Sequence, residues 1–206
     1  MGIISNNQHI DHGSIHYSWW DENGQKQTAD IAKMCPRDVR SKICGRHISM
    51  VFQDSMTSLN PTVTIGNQII EGMLEHYKLT KEEAKARAIK LLEEVGIKNP
   101  EKRFKQYPHQ LSGGMCQRVG IAIALACNPD ILICDEPTTA LDVTIQLKIL
   151  NLIKKIQKEK QISVVYITHD LGVVAKVADY VCVMYAGRII EKGSVEEIFY
   201  DPRHPY

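Results

Sequence analysis

The first chemistry the sequence offers is an apolar run that ends in two carboxylates, Ile131-Leu-Ile-Cys134 followed by Asp135-Glu136-Pro137. Four apolar residues in a row fit a buried strand, and the C-terminal edge of such a strand is where α/β proteins place ligands. There one carboxylate can hold Mg²⁺ directly or through water, and the next can orient and deprotonate an attacking water. A strand that simply closes on acidic turn residues before Pro137 looks the same, so the pair alone leaves both readings open. One helix earlier, Leu111-Ser112-Gly113-Gly114-Met115 starts a helix whose paired glycines leave backbone N–H groups clear for an anion. Ser112 stands at the N-cap, and the helix dipole adds to the anion preference. A flexible loop also reads Ser-Gly-Gly; the acidic strand that follows is what gives this one weight. Gln53 closes an early β-rich run from His47, and Thr168-His169-Asp170 closes a later one. A lone His at a strand end is commonly structural. If the strands are parallel, however, Gln53, Asp135, Glu136 and His169 converge on one crevice.

The elements that must position these residues follow from apolar spacing. Residues 13–52 read as short strands and turns, with a turn cluster at Asp21-Glu-Asn-Gly24. From Gln68 to Glu94 apolar residues recur at helical spacing, and Leu91, Leu92 and Val95 close a helix before Gly96. A proline-punctuated stretch, Asn99 to Pro108, leads to a second helix from Gly113 to Cys127, ended by Asn128-Pro129. Strands and helices then alternate: a strand at Ile131–Cys134, an amphipathic helix from Val143 to Lys158, a strand at Ser163–Ile167 and a helix from Leu171 to Ala178. Two last strands, Tyr180–Tyr185 and Arg188–Glu191, are joined at Ala186-Gly187. Apolar strands separated by helices predict a parallel sheet covered on both faces. The expected organisation is one domain over 1–206, with an α/β core from 1–55 and 129–206 and a mostly helical subdomain inserted at 56–128.

Composition is that of an ordinary globular protein: 206 residues, 44% hydrophobic and 24% charged. A formal charge of +1 argues against a nucleic-acid surface. The longest apolar run, near Ile121–Cys127, falls far short of the ~20 residues a membrane-spanning helix needs. The opening residues read as no signal peptide. The six cysteines form no Cys-x-x-Cys pair. Buried thiols in a reducing compartment are the expectation, with no metal site built from protein ligands alone.

In order, Gln53, Leu-Ser-Gly-Gly, Asp-Glu-Pro, Ala140-Leu-Asp142 and His169 resemble the ATPase subunit of ATP-binding-cassette (ABC) transporters. The finer likeness is to importers of the dipeptide, oligopeptide and nickel type. It is carried by Met56-Thr-Ser-Leu-Asn-Pro61, Tyr107-Pro-His-Gln-Leu-Ser-Gly-Gly-Met115, Gln117-Arg-Val119 and Asp135-Glu-Pro-Thr-Thr-Ala-Leu-Asp-Val-Thr-Ile-Gln146. Ile167-Thr-His-Asp-Leu-Gly-Val-Val-Ala175, Val183-Met-Tyr-Ala-Gly187 and the terminal His204-Pro-Tyr206 complete it. The likeness runs from about Gly13 to Tyr206. It implies the α/β sheet core of a P-loop NTPase with an inserted helical subdomain, and ATP with Mg²⁺ as cofactors. It also implies that Asp135 and Gln53 hold the metal, that Glu136 is the general base and that His169 contacts the γ-phosphate. Ser112, Gly113 and Gly114 would bind the γ-phosphate of a nucleotide held by a second ATPase subunit, and Asp142 would couple the two sites across the dimer. The implied partners are that second subunit, identical or related, and transmembrane permease subunits. The implied place is the cytoplasmic face of the membrane, peripherally bound, touching neither nucleic acid nor the transported solute.

The sequence departs from this pattern in one large respect. No Gly-x-x-x-x-Gly-Lys-Ser/Thr occurs, so the loop that wraps phosphates in this family is not among these residues. In the family it precedes the region matching Gly13 to Tyr17, and the chain reads as incomplete at its N-terminus and short at its C-terminus. Tyr17, Trp19 and Trp20 are in the wrong place to supply the adenine-stacking aromatic residue and read as surface or packing residues. Cys116 stands where the family usually has Arg, and Cys134 where it usually has Ala. Three expectations follow. The chain alone binds Mg·ATP weakly, it retains a donor half able to complete a partner's site, and it has uncovered apolar strand faces that lower solubility. The alternative function is therefore a non-catalytic cassette that lends its Ser112–Gly114 segment to an intact ATPase. A soluble cassette ATPase of translation or DNA repair fits less well, because neither paired cassettes nor a long coiled-coil insertion is present.

Overall fold

A computed structural model of the chain describes residues 10–21, 23–138 and 141–206. The chain opens with an antiparallel hairpin of β1 (His16–Trp20) and β2 (Lys26–Asp30), in which Tyr17 pairs with Ala29 and Trp19 with Gln27. Asp21 closes the turn, its carboxylate accepting the backbone N–H groups of Asn23 and Gln25 and the side-chain amide of Gln27. A 3₁₀ turn at Ile31–Lys33 leads into α1 (Pro36–Lys42). The expected run of strands and turns over 13–52 is corrected here. With seven residues and only Val39 buried, α1 is too short to print a period, and its signals were Pro36 at the first helical position and Asp38 in the first turn.

After β3 (Ile48–Val51) come five helices: α2 (Ser55–Ser58), α3 (Ile65–His76), α4 (Lys81–Glu94), α5 (Pro100–Phe104) and α6 (Gly113–Leu125). The helical periodicity of 68–94 belongs to two helices rather than one. The chain breaks after His76, and Thr80 restarts it with a capping box, its hydroxyl accepting the Glu83 N–H while the Glu83 carboxylate accepts the Thr80 N–H. The proline-rich stretch before α6 is itself partly helical, as α5 and a 3₁₀ turn at Pro108–Gln110. The remainder alternates as expected: β4 (Ile131–Asp135), α7 (Val143–Lys160), β5 (Ser163–Ile167), α8 (Leu171–Val177), then a second hairpin of β6 (Tyr180–Tyr185) and β7 (Arg188–Ser194), and α9 (Val195–Tyr200).

The sheet that positions the site has the order β3-β4-β5, all parallel, with Val51 beside Cys134 and Cys134 beside Tyr166. One face packs into the main apolar core, where Leu132 and Cys134, both fully buried, join Val119, Ala122 and Leu125 of α6 and Ile149, Ile153 and Ile156 of α7. Each such aliphatic side chain contributes about 1.5–3 kcal/mol when fully buried. The other face is covered only in part. Ile48, Ile131 and Ile133 pack with Ile31, Val39, Ile43 and the inward-facing Tyr17 and Trp19. On β5, by contrast, Val165 and Ile167 remain 49% and 48% exposed. The expectation of a sheet covered on both faces thus holds for β3 and β4 and fails at β5.

Candidate active site

Because β3, β4 and β5 run parallel, their C-terminal ends share one edge, and the polar residues that close them meet there. Gln53 follows β3, Asp135 ends β4, Glu136 comes next, and His169 lies two residues past β5. Glu136 is the centre of the group. Gln53 Nε2 donates to Glu136 Oε2 at 2.7 Å, and His169 Nδ1 lies 2.8 Å from Glu136 Oε1. Both carboxylate oxygens are thereby oriented by side chains that come from different strands.

The backbone of Glu136 is left-handed, with φ of 42°. A residue other than glycine sits there at a cost of order 1–3 kcal/mol and stays only when its surroundings hold it. Here the Glu136 N–H donates to Ile167 O at 2.9 Å, so β5 grips the residue by its backbone as well as through His169. The turn away from the strand axis separates Glu136 from Asp135, which stays in register opposite Ile167 and is half-buried. Beneath them Cys134 is fully buried, and burial pushes its thiol up to about 12. It is an apolar filler there rather than a nucleophile.

The oxygen donors fit a hard cation: the Asp135 carboxylate and the Gln53 amide oxygen, whose nitrogen is already committed to Glu136. Among the described residues no three His, Cys, Asp or Glu side chains cluster as a protein-only metal cage. That suits Mg²⁺, which is commonly held by one or two carboxylates together with substrate phosphates and water.

The remaining predicted residues sit at helix starts. Ser112 occupies the N-cap position of α6, yet its side chain makes no capping hydrogen bond. A Cβ added to Gly113 would meet nothing within 4 Å, so the first turn of α6 is open. Gly114 faces α7, with Ile145 Cγ2 3.0 Å from where its Cβ would stand. Asp142 is committed locally, its Oδ1 accepting the N–H groups of Thr144 and Ile145 to cap α7. Ala140, just before it in the expected motif, lies outside the described residues. Asp170 was noted in the sequence only as the end of a strand. Its Oδ1 accepts Gly172 N–H and Val173 N–H to cap α8, and its Oδ2 lies 3.4 Å from Gln146 Nε2 of α7. Those backbone bonds hold its carboxyl below the usual range. The Asp-Leu-Gly order after a strand was the available cap signal.

The parallel sheet thus gathers Gln53, Asp135, Glu136 and His169 at one strand-end edge, the place where open α/β sheets bind ligands. The family model for the ABC transporter matches residues 1–139, and the chain belongs to that family. It is 60% identical over 177 residues to the oligopeptide transport ATP-binding protein OppD of Bacillus subtilis, covering 86% of this chain and 49% of the relative. It is 53% identical over 205 residues to AmiE, an oligopeptide transport ATP-binding protein of Streptococcus pneumoniae, and 56% identical over 177 residues to the dipeptide transport ATP-binding protein DppD of Bacillus subtilis. Those alignments cover 100% and 86% of this chain, and 55% and 52% of the relatives. The chain thus spans about half the length of the curated relatives it matches. Among solved structures, the ATP-binding cassette MJ0796, a dimer in a post-hydrolysis state bound to ADP and Pi, superposes with a TM-score of 0.74 at 27% identity. That match covers 91% of this chain and 75% of the other.

Proposed function

We propose that this chain is part of the ATP-hydrolysing subunit of an ABC importer for oligopeptides or dipeptides, with Glu136 as the general base. The observation that supports it most is the double anchoring of Glu136 by Gln53 and His169 at the parallel strand ends. In this reading Asp135 and Gln53 hold Mg²⁺, which neutralises charge on the phosphates of ATP. Glu136 takes the proton of a water aligned on the γ-phosphate, and His169 both orients Glu136 and faces that phosphate. The first turn of α6, at Ser112, Gly113 and Gly114, offers N–H groups to the γ-phosphate of a nucleotide bound by a second ATPase subunit, and Asp142 lies at the seam between the two. Residues 56–128 act as a helical subdomain between two parts of a core. No described helix is long and apolar enough to cross a membrane, which suits a subunit docked on permease subunits at the cytoplasmic face. Names of the relatives favour peptides over nickel as the solute.

The test is ATP hydrolysis by the subunit reconstituted with its permease and partner cassette in liposomes. Glu136→Gln should lower the rate by about 10²–10⁴-fold while ATP binding persists. A rate within twofold of wild type would remove Glu136 from the role of base.

A second reading, a cassette that only donates its α6 start, is favoured by one observation: the Ser112 side chain makes no capping hydrogen bond and a Cβ on Gly113 would meet nothing within 4 Å. Ser112→Arg would place a bulky cation there and should abolish hydrolysis at the facing site of a mixed pair with an intact homologue. An unchanged rate in that pair would end the donor reading.

A further inference from the structure

The cleft between the β1–β2 hairpin and the end of α1 has no part in the site above. It is an open cleft with a volume of about 340 Å³, at the lower end of the ~300–1,000 Å³ typical of small-molecule sites. Both tryptophans of the sequence line it. Trp19 is held rigidly: its ring stacks on Tyr17 with centroids 5.7 Å apart and lies 5.5 Å from the ring of His47. Tyr17 and His47 are in turn pinned to one carboxylate oxygen. The Tyr17 hydroxyl donates to Asp130 Oδ2 at 2.5 Å, and His47 Nδ1 lies 2.7 Å from the same atom. Trp20 also lines the cleft and is 69% exposed.

The polar side of the cleft is cationic. Lys42 ends α1 and Arg46 follows it. The lining holds one carboxylate against these two cations, Asp21, whose oxygens accept three hydrogen bonds within its own hairpin. Lys42 is 3.5 Å from Asp38, but both side chains are largely exposed, so water screens the pair and a ligand anion can replace it. Arg46 carries a fork of donors that can serve more than one acceptor at once. Ser41 also lines the cleft, its hydroxyl donating to Asp38 O at 3.4 Å.

We propose that this cleft binds a small planar aromatic molecule carrying a carboxylate or a phosphate. The ring lies against the exposed Trp20, where offset stacking and apolar burial favour it, with Trp19 also lining the cleft. Its anionic group meets Lys42 and Arg46 in charge-assisted hydrogen bonds. Cleft size limits the ligand to about one ring system, and two cations against one carboxylate in the lining favour an anionic one. The site is independent of ATP chemistry, so its success or failure does not depend on the function proposed above.

The chain carries its own reporter, because its two tryptophans are the cleft walls. Intrinsic fluorescence is titrated with benzoate, phenyl phosphate and the neutral isostere benzamide. Saturable quenching by benzoate or phenyl phosphate is expected, with benzamide at least about tenfold weaker, and the stronger of the two anions identifies carboxylate or phosphate as the natural group. Lys42→Ala should weaken the anionic probes by about tenfold and leave benzamide unchanged. Trp20→Ala should weaken all three. Lys42 is exposed at a helix end, so its variant keeps the fold even where the Trp20 variant does not, and far-ultraviolet circular dichroism checks both. Equal quenching by benzamide, no saturable quenching by either anion, or an anion affinity indifferent to Lys42→Ala would each overturn the proposal.

Discussion

At the scale of single residues, Glu136 shows what the sequence states and what only the fold supplies. Its place after Ile131–Cys134 marked it as a carboxylate at a strand end, and the same logic marked Gln53 and His169. That these three form one hydrogen-bonded group depends on parallel register, which brings Asp135 level with Ile167 and so places His169 within 2.8 Å of Glu136. The left-handed backbone of Glu136 was not legible, because glutamate has no preference for that conformation and the grip comes from Ile167 O. A prediction follows for His169. His169→Ala leaves Glu136 Oε1 without this partner and removes a donor facing the proposed phosphate, so hydrolysis by the reconstituted importer should fall about 10²–10³-fold. His169→Gln, which restores a donor of similar reach, should recover part of that loss. If His169→Ala turned over ATP at the wild-type rate, the histidine would be a packing residue and the group would reduce to Gln53 and Glu136.

At the scale of elements, long periodic helices and wholly apolar strands were readable and short helices were not. α6, α7 and β5 match their sequence readings to within a few residues because each presents a sustained apolar pattern to the core. α1 and α9 are seven and six residues long, and α9 buries no residue fully, so neither could print a pattern. The split between α3 and α4 escaped the reading because the apolar period continues across His76-Tyr77-Lys78-Leu79, while the break is decided by the Thr80 capping box. The packing of α3 on α5 makes a demand the sequence did not show. Gly66, in the first turn of α3, has the Phe104 ring 2.3 Å from where a Cβ would stand. Gly66→Ala must therefore push α3 away from α5 or twist Phe104, at a cost of about 1–3 kcal/mol. Thermal unfolding should show a lowered Tm, and adding Phe104→Leu should recover part of it because the two changes share one contact. Should Gly66→Ala melt with the wild type, the two helices are free to slide and the close approach is not a constraint.

At the scale of the whole molecule, the described residues form three separate small sheets rather than one. Within the parallel sheet β5 pairs only with β4, so its other edge has no strand beside it among the described residues, and Val165 and Ile167 face solvent next to that edge. The β6–β7 hairpin adds Tyr180, Met184, Tyr185 and Ile189, each more than half exposed. An unpaired edge beside an exposed apolar face is a template for another strand, and proteins that keep such edges in solution usually charge them. Neither Val165 nor Ile167 is charged, and no charged residue lies between Ser163 and Thr168. The low solubility expected from the sequence thus acquires a location. The 206-residue chain should self-associate through β5, seen as a concentration-dependent rise in mass by light scattering near neutral pH. Val165→Lys with Ile167→Lys places two like charges on the open face and should return the chain to a monomer, at little cost in stability because both side chains are already half in water. Controls at Leu147 or Val143, apolar and exposed on α7, should not have that effect. If the double lysine variant associates as strongly as the wild type, β5 is not the sticking surface and the β6–β7 hairpin becomes the one to charge.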